Sequence, residues 1–292
     1  MNLTIFTPTY NRAYTLTRLY KSLCKQNNKS FEWLIVDDGS ADETGELCAT
    51  WIAEGRISIQ YFWKENGGKP SAYNVGIEKA QGDLFTIVDS DDYLTEDAVE
   101  TIRKDWNDIE PWTNSLMIGL IYFRKNKEGD LITKYKRKKT NATLLDFYRK
   151  HGLKGDTMLV YRTNVVRKYK FPYFEGEKFV PESYIYDLLD DEGSLHIVQK
   201  AIYVCEYLPD GYTASMRKVN HDNPQGYEAY IMSRIKKDKS IRDIIEDTIK
   251  YIAIEKVKGN KAIVVGSQHK LITLFLLLPG WIFYKRVYSK YE

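Results

Sequence analysis

Asp89, Asp91 and Asp92 crowd three carboxylates into four residues. Repulsion between them is costly unless hydrogen-bond donors or a cation offset it. Mg2+ and Mn2+ do this with oxygen ligands, typically one or two carboxylates completed by substrate phosphates. The plainer use of Asp and Ser is an N-cap, although Thr95-Glu96-Asp97-Ala98 could open a helix unaided. A second acidic pair, Asp37-Asp38, runs into Gly39-Ser40. Strand-end carboxylates accept hydrogen bonds from a base or a ribose in nucleotide folds, and Asp-Asp-Gly-Ser is also ordinary turn chemistry. Asn66-Gly67-Gly68-Lys69 offers mobile backbone N–H groups and one cation, which suits a phosphate. It lacks Walker A spacing, and no GxGxxG follows the first strand. The four histidines are scattered without zinc-ligand spacing, and no GxSxG supports a serine hydrolase.

The elements that must position these groups alternate along the first hundred residues. Leu3–Phe6, Phe31–Val36, Ile57–Phe62 and Leu84–Val88 read as buried strands. Tyr14–Gln26, Asp42–Glu54 and Lys69–Ala80 read as helices between them. Such alternation predicts an α/β fold with a mainly parallel central sheet flanked by helices. In such sheets ligands bind beyond the carboxyl ends of the strands. Each polar motif falls at one of those ends: Thr7-Pro8-Thr9-Tyr10-Asn11 after the first strand, then the two acidic motifs and the glycine motif after the others. Further strands are expected at Leu116–Phe123 and Met158–Tyr161, and an amphipathic helix at Ile241–Ile252. His221–Gly226 reads as a loop that closes the main domain near residue 220.

Composition narrows the function classes. At 292 residues and 43% hydrophobic, the chain can bury one or two cores and is neither disordered nor fibrous. A net charge of +3 argues against a nucleic-acid partner. The three cysteines form no close pair, so a reducing compartment is expected. The N-terminus does not read as a signal peptide.

Thr7-Pro8-Thr9-Tyr10-Asn11-Arg12, Val36-Asp37-Asp38-Gly39-Ser40 with Asp42 and Thr44, Asn66-Gly67-Gly68-Lys69 with Asn74 and Gly76, and Val88-Asp89-Ser90-Asp91-Asp92 together resemble family-2 glycosyltransferases of the GT-A fold. The resemblance is close to about residue 110 and recognisable to about 210. It implies a GT-A (nucleotide-diphospho-sugar transferase) catalytic domain over 1–220, divided into a nucleotide-binding half (1–110) and an acceptor-binding half (111–220). A helical C-terminal extension (221–292) would follow. It implies a nucleotide-sugar donor, most often a UDP-sugar, and a Mn2+ or Mg2+ cofactor. Pro8, Thr9 and Tyr10, with Arg12 beside them, and the Asp38 carboxylate would hold the uridine, while Asn66, Gly68 and Lys69 would lie near ribose or phosphates. Asp89-Ser90-Asp91 would be the DxD motif, with Asp89 near the ribose, Asp91 on the metal and Asp92 an alternative ligand. The family inverts the anomeric carbon with one catalytic base. Glu182 is the candidate, in a segment where many relatives carry Glu-Asp and this chain has Glu182-Ser183; Glu177 and Asp187 stay open. An acid after Pro181 would also suit a helix first turn. Asp156 is a candidate for touching the acceptor sugar, and equally a turn residue.

Two other readings are a sugar nucleotidyltransferase and an inactive carbohydrate-binding member of the same fold. The first normally carries a Gly-rich basic loop after strand one, where this chain has Thr7-Pro8-Thr9-Tyr10. At the other end, Leu271–Tyr284 is strongly apolar over 14 residues, interrupted by Pro279-Gly280 and followed by Lys285, Arg286 and Lys290. A spanning helix needs roughly 20 apolar residues, so an interfacial segment on an anionic membrane surface is expected. The bland alternative is packing on protein. The membrane reading places the chain peripherally on the inner face of the cytoplasmic membrane, acting on a glycan or lipid-linked oligosaccharide acceptor in bacterial surface polysaccharide synthesis. The basic run Lys134–Lys139 could assist, although charge runs are usually solvated loops. Association into a homo-oligomer is left open.

Overall fold

A computed structural model describes residues 2–109, 116–206, 212–237 and 240–292. The chain divides into two compact units, Met1–Lys170 with Leu188–Leu208, and Phe171–Asp187 with Pro209–Glu292. The division falls earlier than the boundary expected near 220, and it draws Phe171–Asp187 out of the expected catalytic domain.

The first unit begins with β1 (Leu3–Thr9), α1 (Ala13–Cys24), β2 (Phe31–Asp37), α2 (Thr44–Glu54), β3 (Ser58–Trp63), α3 (Lys69–Lys79) and β4 (Leu84–Ile87). It continues with β5 (Tyr93–Leu94), α4 (Ala98–Ile109), β6 (Met117–Asn126), β7 (Asn141–Ala142), α5 (Leu144–Arg149), β8 (Thr157–Arg162) and α6 (Thr163–Val166). After α7 (Ser183–Leu189), β9 (Ser194–Cys205) completes the sheet. Strand order is β3-β2-β1-β4-β8-β6-β9-β5, with β7 also on β9. β3, β2, β1 and β4 run parallel. Beyond β4 the sheet is mixed: β8 is antiparallel to both β4 and β6, while β6 and β9 are parallel. β1 and β2 are buried at every position, as expected of strands covered on both faces.

The order places a topological switch point between β1 and β4. The chain builds outward from β1 to β3, then returns to the other side of β1 as β4. Ligand crevices open at such points, beyond the strands' carboxyl ends. The helices hold the edge in place through close packing. Tyr20 of α1 stacks on Trp51 of α2 at 4.5 Å between ring centroids, and both stack on Trp33 of β2. A Cβ on Gly76 of α3 would lie 2.5 Å from the Phe6 ring, so α3 rides directly on β1.

The second unit contains α8 (Tyr212–Asp222), α9 (Pro224–Lys237), α10 (Ile241–Val257), α11 (Ile263–Gly266), α12 (Lys270–Val287) and a 3-10 turn at Ser289–Tyr291. Its core joins Ile231 and Ile235 of α9, Tyr251 and Ile252 of α10, and Tyr284 and Tyr288. The expected loop at His221–Gly226 is instead a helix junction at Asn223. Pro224 opens α9, where its missing N–H costs nothing.

Candidate active site

The loops after β1 and β2 are laced together. Asn11, at φ 52°, donates its backbone N–H to Ser40 Oγ at 2.8 Å and accepts from the Ala41 N–H at 2.8 Å. Asp42 accepts from the Ala13 N–H at 3.0 Å and from the Thr44 N–H at 3.1 Å, so one carboxylate serves the first turns of both α1 and α2. Burial works against its charge, but these donors and the Thr44 hydroxyl hold its carboxyl below the usual range. Beside them, Tyr10 is exposed, and the buried Thr9 hydroxyl has no hydrogen-bond partner among the described residues. Pro8 is buried inside β1, and half-buried Arg12 lies over the Tyr14 ring.

Asp38, expected at the uridine, ties the β2 end to the loop after β3. It is buried, and Oδ1 accepts from Lys64 Nζ at 2.7 Å and from the Gly67 N–H at 3.0 Å. Oδ2 accepts from the Gly68 N–H at 2.6 Å and from Asn66 Nδ2 at 3.1 Å. A carboxylate offers about four acceptor positions, and here they are taken by the chain itself. Asp38 therefore holds the 64–68 loop in place through its carboxylate. Asn66 and Gly68 are held from behind by the same bonds. Gly68 has φ 86°, a conformation that glycine adopts without strain. Gly39 is also required: at φ 85°, any Cβ would stand 2.8 Å from the Asn66 nitrogen. Asp37 is likewise structural, accepting from the Ser40 N–H and from the Tyr61 hydroxyl.

The acidic turn follows β4, and its three carboxylates are used in three ways. Asp89 pairs with Lys69 Nζ at 2.6 Å. Burial would raise its carboxyl, but Lys69 and Arg124 overcome that and hold it low. Asp92 is buried, accepting from the Tyr203 hydroxyl at 2.8 Å and from the Glu206 N–H at 3.0 Å. Burial first, and the charge of Asp89 second, push its carboxyl up to about 7. These bonds engage both oxygens of Asp92, the alternative metal ligand, with the scaffold. Asp91 differs from both: among the described residues its carboxylate accepts only from its own backbone amide. Burial and the neighbouring Asp89 raise it, against Arg12 and Lys69. Ser90 is buried between them. The N-cap reading of this turn fails, because β5 separates it from α4.

Three residues of this network carried no local signal in the sequence. Tyr203 of β9 accepts the Asp89 N–H at 3.1 Å while donating to Asp92. Arg124 of β6 lies over the Tyr203 ring at 4.1 Å and donates to the Thr157 carbonyl at 2.9 Å. Arg18 of α1 donates to the Asp91 carbonyl and pairs with Glu206. They lie up to 114 residues from the acids they serve; strand pairing places Tyr203 and Arg124, and α1 places Arg18.

A divalent cation fits this donor set in one way. Asp91 is a half-buried oxygen donor whose charge is opposed by Asp89, and a cation would relieve that opposition. No cluster of three or more potential ligands occurs among the described residues. Such an ion would therefore take most of its ligands from the substrate's phosphates and water, as Mg2+ commonly does.

The remaining candidates lie elsewhere. Asp156 sits on an exposed turn beside Gly155, whose φ is 75°. The three base candidates belong to the second unit. Glu177 accepts from the N–H groups of Gln225 and Gly226, both at 2.8 Å, and so caps α9. Asp187 is buried on α7, where its charge helps raise Arg234. Glu182 is half-buried, just ahead of α7, and accepts from the Tyr186 hydroxyl at 3.1 Å.

The description of Glycosyl transferase family 2 matches residues 4–171. The chain belongs to that family. Its GT-A fold is that of several solved structures. Staphylococcus aureus TarS residues 1–349 with UDP superposes with a TM-score of 0.61 at 18% identity, covering 100% of this chain and 91% of that one. A mannosyltransferase from Pyrobaculum calidifontis, solved with GDP-Man and Mn2+, superposes with a TM-score of 0.57 at 15% identity, covering 99% and 83%. In sequence, the family 2 chain is similar to glycosyltransferase GlyG of Streptococcus pneumoniae serotype 4, 32% identical over 130 residues. That alignment covers 44% of this chain and 42% of GlyG. Glycosyltransferase GlyA of the same organism is 34% identical over 127 residues, 44% of this chain and 18% of GlyA. The chain thus matches less than half the length of these curated relatives.

Proposed function

We propose that the chain transfers a sugar from a nucleotide-sugar, a UDP-sugar in the first instance, to a glycan acceptor with inversion at the anomeric carbon. The division of labour in the acidic turn carries this reading. Asp89 is neutralised by Lys69, Asp92 is engaged by the scaffold, and Asp91 is left at the switch point of the sheet with a half-buried carboxylate that burial and Asp89 oppose. Support for a nucleotide comes from the orphaned Thr9 hydroxyl and the exposed Tyr10 beside that turn. TarS has been solved with UDP and with UDP-GlcNAc.

In this reading the acceptor hydroxyl attacks the anomeric carbon in line. The new C–O bond forms as the bond to the β-phosphate oxygen breaks, the proton passes to Glu182, and the nucleoside diphosphate leaves. Lys69, beside the acidic turn, orients the diphosphate. Mn2+ or Mg2+ held by Asp91 would supply charge neutralisation at the leaving diphosphate. The acceptor is proposed to be lipid-linked, with the chain peripheral on the inner face of a bacterial cytoplasmic membrane. TarS of Staphylococcus aureus is named a poly(ribitol-phosphate) beta-N-acetylglucosaminyltransferase, whereas GlyA and GlyG of Streptococcus pneumoniae are named only as glycosyltransferases.

A thermal-shift screen of UDP- and GDP-sugars with and without Mn2+ tests the donor class, since stabilisation follows mass action. Asp91→Asn should abolish Mn2+-dependent UDP binding and turnover; unchanged binding and turnover would sink the assignment. Glu182→Gln should lose transfer and keep UDP affinity. A collapse of UDP affinity would make Glu182 a donor-binding or structural residue instead.

A further inference from the structure

The geometry points to α12 as a docking helix that lies in the plane of an anionic lipid surface with one face down. This deepens the lipid-linked reading above, and its test does not depend on the transfer chemistry.

α12 has two unlike faces. On one, Thr273, Gly280 and Tyr284 are buried. A Cβ on Gly280 would meet Ile252 of α10 at 2.5 Å, so the two helices touch backbone to side chain. Thr273 shares a hydrogen bond with Ser267 at 2.5 Å. The other face carries Leu271, Leu274, Phe275, Leu278, Trp281 and Ile282, with exposure running from 38% at Ile282 to 81% at Phe275. Their spacing of three and four residues sets all six on one side of the helix. Single exposed apolar residues are normal, but a continuous stripe marks an interaction surface. The helix runs through Pro279 without a break, so the stripe is unbroken too.

The charges around the stripe select its partner. Exposed Lys270 stands at one end and exposed Lys285, Arg286 and Lys290 at the other. No Asp or Glu occurs from Lys256 to Tyr291. A second copy of the same face would bring like charges together, which is unfavourable. Anionic headgroups meet the cations while the acyl boundary covers the stripe, and long Lys and Arg stems reach up to the headgroups as the apolar side sinks. Trp281 lies beside the cations, where an amphipathic ring suits the interface.

Composition alone would let Lys270–Tyr291, 22 residues, cross a bilayer. The packing argues for lying flat. A helix sealed along one side to α10 cannot be wrapped in lipid without carrying its neighbours along. Those neighbours hold the ion pairs Arg234–Asp247 and Lys258–Glu255, which hydrocarbon would penalise.

The test is co-sedimentation of the full chain with vesicles of phosphatidylcholine alone and of phosphatidylcholine mixed with phosphatidylglycerol. Binding is expected to the mixed vesicles, weakening with added salt. Phe275→Glu with Leu278→Glu should lower the partition coefficient more than tenfold. Lys285→Ala with Arg286→Ala should lower it about fivefold per charge removed. Far-ultraviolet circular dichroism and UDP affinity should be unchanged in both variants, since the altered side chains are exposed. Absence of vesicle binding overturns the proposal, as does binding indifferent to Phe275 and Leu278. Lipid-free dimerisation that Phe275→Glu abolishes would instead assign the stripe to a second copy. UDP-sugar hydrolysis without vesicles reports on the catalytic reading separately.

Discussion

Tyr203 supplies what the acidic turn cannot supply for itself. Its hydroxyl accepts the Asp89 N–H and donates to Asp92, so one oxygen sets both ends of the turn that carries Asp91. Tyr203→Phe keeps the ring under Arg124 but leaves a buried amide and a buried carboxylate oxygen short of a partner. The expected cost is about 1–3 kcal/mol of stability. Mn2+-dependent UDP affinity should fall about tenfold, the order of loss seen when an orienting partner of a metal ligand is removed, while metal-free UDP affinity stays close to wild type. Isothermal titration with and without Mn2+ checks both halves; an equal loss in both would make Tyr203 a residue of general stability only. The acids were legible in the sequence because they are adjacent, whereas their organiser was not. β9 does carry a signal: apolar positions alternate at Leu195 and Ile197, then resume out of phase at Ile202 and Val204. The pairing with β6 shifts register between those two halves. A strand that changes phase midway looks irregular to a search for strict alternation. The division of roles among Asp89, Asp91 and Asp92 was hidden for the same reason, since it depends on which acid meets Tyr203.

Between residues and the whole chain, the elements at the sheet edge behave as one laced structure. The parallel half of the sheet could be read directly, because its strands are mainly apolar and each ends at a polar motif, although β3, expected to be buried, is a partly exposed edge strand. In the mixed half β6 and β8 were legible as apolar runs, but β5 and β7 were not, being two residues long, nor was the antiparallel return of β8 across a long connection. Asp42 ties α1 to α2, and its loss should resemble removal of a helix cap. Asp42→Ala should cost about 1–2 kcal/mol. The pH dependence has a definite sign. A carboxyl held below its usual 3.8 contributes stability that is fully present above that value and is lost as pH falls through the lower folded value. Asp42→Asn should therefore show a flatter acid limb than wild type in denaturant melts below pH 4; a limb equally steep in both would remove Asp42 from the account. Gly76 acts at the same scale. A methyl group there meets the Phe6 ring at 2.5–2.8 Å, so α3 must lift from β1. Gly76→Ala should destabilise by about 1–3 kcal/mol. It should also weaken UDP binding, because α3 carries Lys69 and follows the 64–68 loop. Normal stability with normal affinity would mean that Phe6 turns aside at little cost.

At the scale of the molecule, the two compact units divide the proposed tasks unevenly. Every residue assigned to the donor lies in the first unit, and the exposed apolar stripe proposed to meet lipid lies in the second. The catalytic base candidate Glu182 belongs to the second unit by packing, although it precedes β9 in sequence. A sequence reading places it in the catalytic domain because sequence order gives no hint that Phe171–Asp187 joins the C-terminal helices. That assignment rests on bonds such as those of Glu177 to the start of α9 and of the Lys178 and Phe179 amides to Asn223. The division predicts two separable footprints in amide hydrogen exchange. UDP with Mn2+ should slow exchange in the loops after β1, β2, β3 and β4 and leave α10 and α12 unchanged, because a ligand protects the segments whose local opening it opposes. Anionic vesicles should do the reverse, slowing α12 and sparing the acidic turn. Protection of α12 by nucleotide alone would mean that the units are energetically coupled, since a ligand can shift a distant equilibrium only through differential affinity for its states. In that case donor binding and membrane docking would have to strengthen one another by the same factor, and UDP affinity would rise on vesicles. Separate footprints with equal UDP affinity on and off vesicles are the outcome expected from two units with separate tasks.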